Sequence, residues 1–211
     1  CLQNSFQVAI TNLTLYLSIV SLILLVAVIA IFSTFRSLQC RRLTIHINLC
    51  LAFLLRFAFY ISWISLWHSN VFTGCLADGS RLAIEAVEVL CKIVLFTIMY
   101  STMASVIWML VEGLYLSSRL STLAMHGEGH IAIYLIGGWG FPLIWVLIWA
   151  ILMEKEHSEN CWLPYSDSYH RWLLVVPMTA ALVVNCLILI VVVVVITQKL
   201  WAENIQEDQK L

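Results

Sequence analysis

Three ionisable side chains stand inside long apolar runs: Glu112, His46 and Arg56. Glu112 is the sharpest case. It lies in the stretch Trp108–Leu116, W-M-L-V-E-G-L-Y-L, and no charged residue precedes it between Ile93 and Val111. A lone acid in such a run is costly unless it faces protein or water, so it marks a functional site and calls for a partner. A buried imidazole–carboxylate hydrogen bond is worth more in low dielectric than at a surface, and breaking it leaves a polar orphan. Catalytic chemistry has no comparable footing. No nucleophile, base and orienting group combine as in a hydrolase, so the chain is not expected to be an enzyme. His126 and His130 are four positions apart but separated by Gly-Glu-Gly, which reads as a solvated loop and not a metal site. Gly137-Gly138 falls in an apolar stretch and is no phosphate loop. No cofactor or metal is expected.

The elements that must position these side chains are membrane spans. The chain of 211 residues is 62% hydrophobic and 11% charged, with a mean hydropathy of +0.96. Soluble domains lie nearer half apolar and a quarter charged. The fold class is therefore all-α, a polytopic membrane helix bundle surrounded by lipid, and the composition gives no sign of a nucleic-acid partner. A stretch of about 20 apolar residues crosses a bilayer. Five are present, at 8–32, 43–67, 90–116, 131–153 and 172–196. Backbone groups in lipid must be satisfied within the segment, which makes the spans helices and overrides the strand propensity of Val191–Val195. No cleavable signal opens the chain. The sequon Asn12-Leu13-Thr14 falls within the first span, where modification is not expected. The start lacks a methionine, the span count is odd, and Lys199–Leu211 reads as a helix continuing into polar surroundings. A fragment of a larger bundle is expected.

Loop charges orient the bundle. Arg36, Arg41 and Arg42 cluster between the first two spans, which places that connection in the cytoplasm. The N-terminus is then outside and Leu211 inside. Ser117–His130 is the second inner loop. The connection His68–Val89 carries Asp78, Glu85 and Glu88 against Arg81, and Glu154–Arg171 carries Glu154, Glu156, Glu159 and Asp167 against Lys155 and Arg171. Acidic loops outside and an arginine-rich loop inside agree with one another.

Depth then pairs the residues. Glu112 comes about one turn before the inner end of the descending third span, and His46 about one turn after the inner start of the second. Both lie near the inner face, so a hydrogen bond between them is expected, either as a static buried pair or as a switch. Arg56 lies about 15 Å above His46. It either contacts a ligand entering from outside or snorkels to the outer interface. Ser105 stands at a comparable height and either joins that polar cluster or bonds its own backbone. Asn185 and Pro177 interrupt the fifth span, as a cross-helix bond and a kink or as plain packing. Of the seven cysteines, Cys91 and Cys161 face an oxidising compartment and read as a disulfide. Cys75 and Cys1 also lie outside, and sequence alone does not set connectivity. Cys50 and Cys186 read as small core residues, and Cys40 as a reduced cytoplasmic thiol.

The pattern Phe35-Arg36-Ser37-Leu38-Gln39-Cys40-Arg41-Arg42, then Ile45-His46-Ile47-Asn48-Leu49 and Leu54-Leu55-Arg56, resembles the first two helices of the secretin-like, class B peptide-hormone G-protein-coupled receptors. Cys91, Trp108 and Val111-Glu112-Gly113-Leu114-Tyr115-Leu116 are similar to their third helix. Gly138-Trp139-Gly140-x-Pro142 with Trp149 is similar to the fourth, Cys161-Trp162 to the second outer loop, and Pro177, Asn185 and Lys199-Leu200 to the fifth.

The resemblance implies roles. His46 and Glu112 match an inner polar network that holds the inactive state, whose further partners lie on helices six and seven. Arg56, with Ser105 beside it, matches a central polar network beneath the peptide pocket. Arg42 and Tyr115 match positions that meet a heterotrimeric G protein, commonly one that raises cyclic AMP. Cys91–Cys161 matches the family disulfide, and Trp139, Pro142, Pro177 and Asn185 match packing and kink positions. It also implies a plasma-membrane location, a peptide hormone or neuropeptide as ligand, and a chain holding helices one to five without the extracellular hormone-binding domain. Departures are Ser105 where the family usually has asparagine, Leu17 where it often has glycine, and Arg42-Leu43 where it has Arg-Asn. Adhesion receptors share Asn48-Leu49-Cys50 and Cys161-Trp162-Leu163, while Leu55-Arg56, the Arg36–Cys40 loop and the long first outer loop favour the hormone branch. A truncated, non-signalling product that forms oligomers with full-length receptors is the alternative of another class. A transporter or channel would need a longer polar pathway than His46, Arg56 and Glu112 supply.

Overall fold

The computed structural model describes residues 2–34, 41–68, 81–120, 131–156, 161–162 and 168–208. Cys1, Arg36, Cys40, Cys75, His126, His130 and Leu163 lie outside the described residues, as do the connections 35–40, 69–80 and 121–130. Five helices follow in order: α1 (Leu2–Thr34), α2 (Arg41–His68), α3 (Arg81–Leu120), α4 (Ile131–Glu156) and α5 (Arg171–Asp208). No strand occurs among the described residues. All five helices are long and apolar enough to cross a membrane.

Each helix outruns its apolar span. Hydropathy marks the part that sits in lipid, whereas the backbone stays helical as long as its residues favour helix. The largest difference at a helix start is in α3. Residues 81–89, read as part of the outer connection between the second and third spans, are its first turns. Their Leu, Ala and Glu content suits a helix that continues past the bilayer. Residues 191–195 are helical, as is the polar stretch of α5 as far as Asp208.

The helix at the centre is α3. Half of its most apolar window is buried, against 6–17% in the other four. It packs on α2, α5 and α4, while α1 leans on α2 and α4 barely touches α5. Helices α1 to α4 run antiparallel in succession: Phe32 at the end of α1 meets His46 near the start of α2, His46 meets Glu112 near the end of α3, and Lys92 in the first half of α3 meets Glu154 at the end of α4. Trp108, Met103, Val146, Trp149 and Met153 form the sealed centre of the core. The outer faces of α1, α4 and α5 are Leu, Ile and Val, the lining a lipid-facing surface requires. Cys186 belongs to that surface, not to the core as its small size suggested. Its neighbours Leu182, Val183, Leu187 and Ile190 are also exposed, so the outward stripe of α5 carries it. Cys50 is buried.

Pro142 and Pro177 sit inside continuous helices. A proline removes one backbone donor and strands the carbonyl four residues earlier. For Pro177 that carbonyl belongs to Leu173. The indole Nε1 of Trp145 on α4 donates to it at 2.6 Å. A side chain from the neighbouring helix thus replaces the missing amide, as hydrocarbon surroundings demand.

Candidate functional site

At the end of the bundle where α2 begins, His46 Nδ1 and Glu112 Oε1 are hydrogen-bonded at 2.9 Å. Their side chains are 41% and 20% exposed, so the pair is reachable from outside the five helices and has room for further partners. Phe32, in the last turn of α1, meets the imidazole edge-to-face at 6.0 Å. One residue past Glu112, Gly113 lets α5 approach closely: a Cβ there would come within 2.6 Å of Asn185 Oδ1. The same turn of α3 therefore contacts α2 through Glu112 and α5 through Gly113. Arg42 is exposed at the start of α2. Tyr115 is buried and crosses the ring of Tyr134 on α4 at 6.0 Å.

Deeper in the bundle, Asn48 Oδ1 accepts from Trp139 Nε1 at 3.0 Å, tying α2 to α4 past α3. The Trp139 ring lies 5.7 Å from that of Trp108. Trp108 in turn lies flat on Gly138, where a Cβ would come within 2.5 Å of its Cε2. The indole N–H of Trp108 finds no acceptor among the described residues. Arg56 Nη1 reaches Ser105 Oγ at 3.4 Å, a long contact. The serine hydroxyl spends its own proton on the Thr102 carbonyl at 2.8 Å. Both alternatives for Ser105 thus hold at once: it bonds its own helix and faces Arg56. Pro142 is buried among the core residues of α4.

At the opposite end, a disulfide joins Cys91 of α3 to Cys161, five residues past α4. Trp162 donates its Nε1 proton to Glu154 Oε2 at 3.0 Å and meets Trp149 edge-to-face at 5.7 Å. Lys92 Nζ lies 3.0 Å from the same carboxylate. At the start of α5, His170 Nδ1 lies 2.9 Å from Ser168 Oγ. No group of three or more His, Cys, Asp or Glu among the described residues could hold a metal ion.

Sequence reasoning paired His46 with Glu112 and Arg56 with Ser105, and the structure brings each pair together. It missed roles for Asn48, Gly113, Gly138, Trp145, Lys92 and Glu154. Only one of these left a usable signal. Pro177 strands the Leu173 carbonyl, and a stranded carbonyl in lipid asks for a donor. Trp145, Trp149 and Trp139 on α4 were the available indoles.

Comparison with known proteins follows the same lines. The family described as 7 transmembrane receptor (Secretin family) matches residues 7–211. Vasoactive intestinal polypeptide receptor 1 of Sus scrofa is 32% identical over 184 residues, 85% of this chain and 37% of that receptor. Calcitonin gene-related peptide type 1 receptor of Oncorhynchus gorbuscha is 31% identical over 205 residues, 95% of this chain and 42% of the relative. Calcitonin receptor of Cavia porcellus is 33% identical over 189 residues, 88% and 37% respectively. The chain spans about two fifths of the length of the curated relatives it matches.

Proposed function

Because the chain belongs to the secretin family of seven-transmembrane receptors, we propose that it supplies helices one to five of a receptor for an extracellular peptide hormone or neuropeptide. The receptor sits in the plasma membrane with the Arg42 end of the bundle in the cytoplasm and the Cys91–Cys161 end outside. Ligand binding at the outer end activates a heterotrimeric G protein at the inner end and raises cyclic AMP. The relatives' names as receptors for vasoactive intestinal polypeptide, calcitonin gene-related peptide and calcitonin support a peptide ligand.

The observation that carries this reading is the His46–Glu112 hydrogen bond. It joins two antiparallel helices through groups whose solvation in hydrocarbon is poor, so opening the bond costs free energy that a ligand must supply. Such a bond biases the bundle towards one arrangement and yields when a ligand favours the other. Arg42 is exposed at the same end, at the start of α2. Arg56, whose contact to Ser105 is long at 3.4 Å, is available to a polar group entering from the other end.

The test is a cyclic AMP assay in cells expressing the longest polypeptide the transcript encodes, with surface display verified by an N-terminal epitope. Secretin-like peptides are applied as a panel. A saturable response to at least one is expected. Surface-displayed protein that responds to none of them, in cyclic AMP or in G-protein dissociation, contradicts the reading.

A further inference from the structure

Two chemically different ties meet at Cys161-Trp162. Both residues adopt left-handed backbone, with φ of 56° and 53°. Consecutive non-glycine residues in that region persist only where their surroundings over-determine them. The disulfide to Cys91 is one constraint. The other is polar and does not depend on cysteine. Lys92, the residue after Cys91, reaches across from α3 to the Glu154 carboxylate on α4, at 3.2 Å from Oε1 and 3.0 Å from Oε2. Glu154 Oε2 accepts the Trp162 indole proton at 3.0 Å. The Lys92 ammonium also lies 5.7 Å from the centre of the Trp162 ring, within the range of a cation–π contact. Glu88, one turn earlier on α3, holds the same ammonium at 3.1 Å. Trp149 meets the Trp162 ring edge-to-face at 5.7 Å.

We propose that Lys92 and Glu154 are positioning residues that hold Cys161-Trp162 against α3 and α4 independently of the Cys91–Cys161 disulfide. An isolated surface ion pair would contribute little. This one differs in setting. The Lys92 side chain is 17% exposed, and it is committed to two carboxylates and an aromatic face at once. The carboxylate is shared between the ammonium and a buried indole, so loss of Glu154 leaves Trp162 with an unmatched N–H, and loss of Lys92 leaves the carboxylate without the cation that holds it in place. While one tie is closed it keeps the other's groups at high effective concentration, so either alone retains the segment and only loss of both releases it. The inference concerns the local structure of this end and stands apart from the receptor reading.

The experiment uses the full chain in lipid nanodiscs and reads amide hydrogen exchange of the peptide that covers Cys161 and Trp162. Folded wild-type protein, Lys92→Met and Glu154→Gln are each measured before and after treatment with a reductant. Reducing the folded protein avoids asking a cysteine variant to fold, and Glu154→Gln serves if Lys92→Met does not accumulate. Reduction alone and each substitution alone are expected to speed exchange by less than about 10-fold, and substitution with reduction by more than about 100-fold. Lys92→Arg is expected to hold the segment after reduction much as lysine does. The proposal is overturned if reduction of the wild-type chain gives the whole acceleration, or if the substitutions add nothing to reduced protein.

Discussion

Replacing Trp145 with phenylalanine isolates one hydrogen bond whose necessity comes from a residue on a different helix. Pro177 has no amide proton, so the Leu173 carbonyl depends on the Trp145 indole at 2.6 Å. Trp145→Phe leaves that carbonyl without a partner and also alters the stack on Phe141, 5.5 Å away. An unsatisfied buried backbone group costs about 1–3 kcal/mol. Pro177→Ala restores a helix amide four residues after Leu173, so the carbonyl no longer needs the indole. In that background Trp145→Phe should cost only the altered packing. The double-mutant coupling is then about −1 to −3 kcal/mol, the double variant being more stable than the sum of the single effects. The assay is reversible unfolding in mixed micelles or bicelles for all four species. Equal cost of Trp145→Phe in both backgrounds would refute the reasoning, since the indole would then act through packing alone.

Other contacts carry their own tests. Gly113→Ala should push α5 away from α3, because the new methyl meets Asn185 Oδ1; adding Asn185→Ala should relieve the collision and restore most of the lost thermal stability. Gly138→Ala drives a methyl into the Trp108 ring, and overpacking of a sealed site should cost about 1–3 kcal/mol in the same unfolding assay. Asn48→Leu removes the acceptor of the Trp139 indole and should lower the unfolding midpoint more than Asn48→Asp, which keeps an oxygen in place.

The spans and their order were legible in the sequence because lipid imposes a single solution, a long apolar helix, on every crossing. The meeting of His46 with Glu112 was legible for a related reason. A helix rises by a fixed amount per residue, so two residues equally far from the same membrane face must come level. What stayed hidden depends on helix rotation and crossing, which composition does not encode. Trp139, Trp145 and Trp149 look alike in sequence, yet the first bonds Asn48, the second the Leu173 carbonyl, and the third packs on Trp162. Lys92 drew no attention in the sequence and Glu154 read only as an outer-loop charge, because 62 positions separate them. The extra turns of α3 at residues 81–89 were missed because hydropathy reports the solvent and not the backbone. Cys186 was misplaced because size alone says nothing about which face of α5 it occupies.

The central claim is that the His46–Glu112 bond restrains an inactive arrangement. Its most direct test is ligand-independent signalling of His46→Ala, Glu112→Gln and the double variant, in the longest polypeptide the transcript encodes and at matched surface display. A hydrogen bond to a charged group contributes about 1.5–3 kcal/mol, so a bond present only in the inactive state should, when lost, shift the resting equilibrium by about tenfold or more. Each single variant should raise basal cyclic AMP, and the double variant should do no more than either single one. Additive effects, or basal signalling unchanged in all three with normal display, would contradict the account.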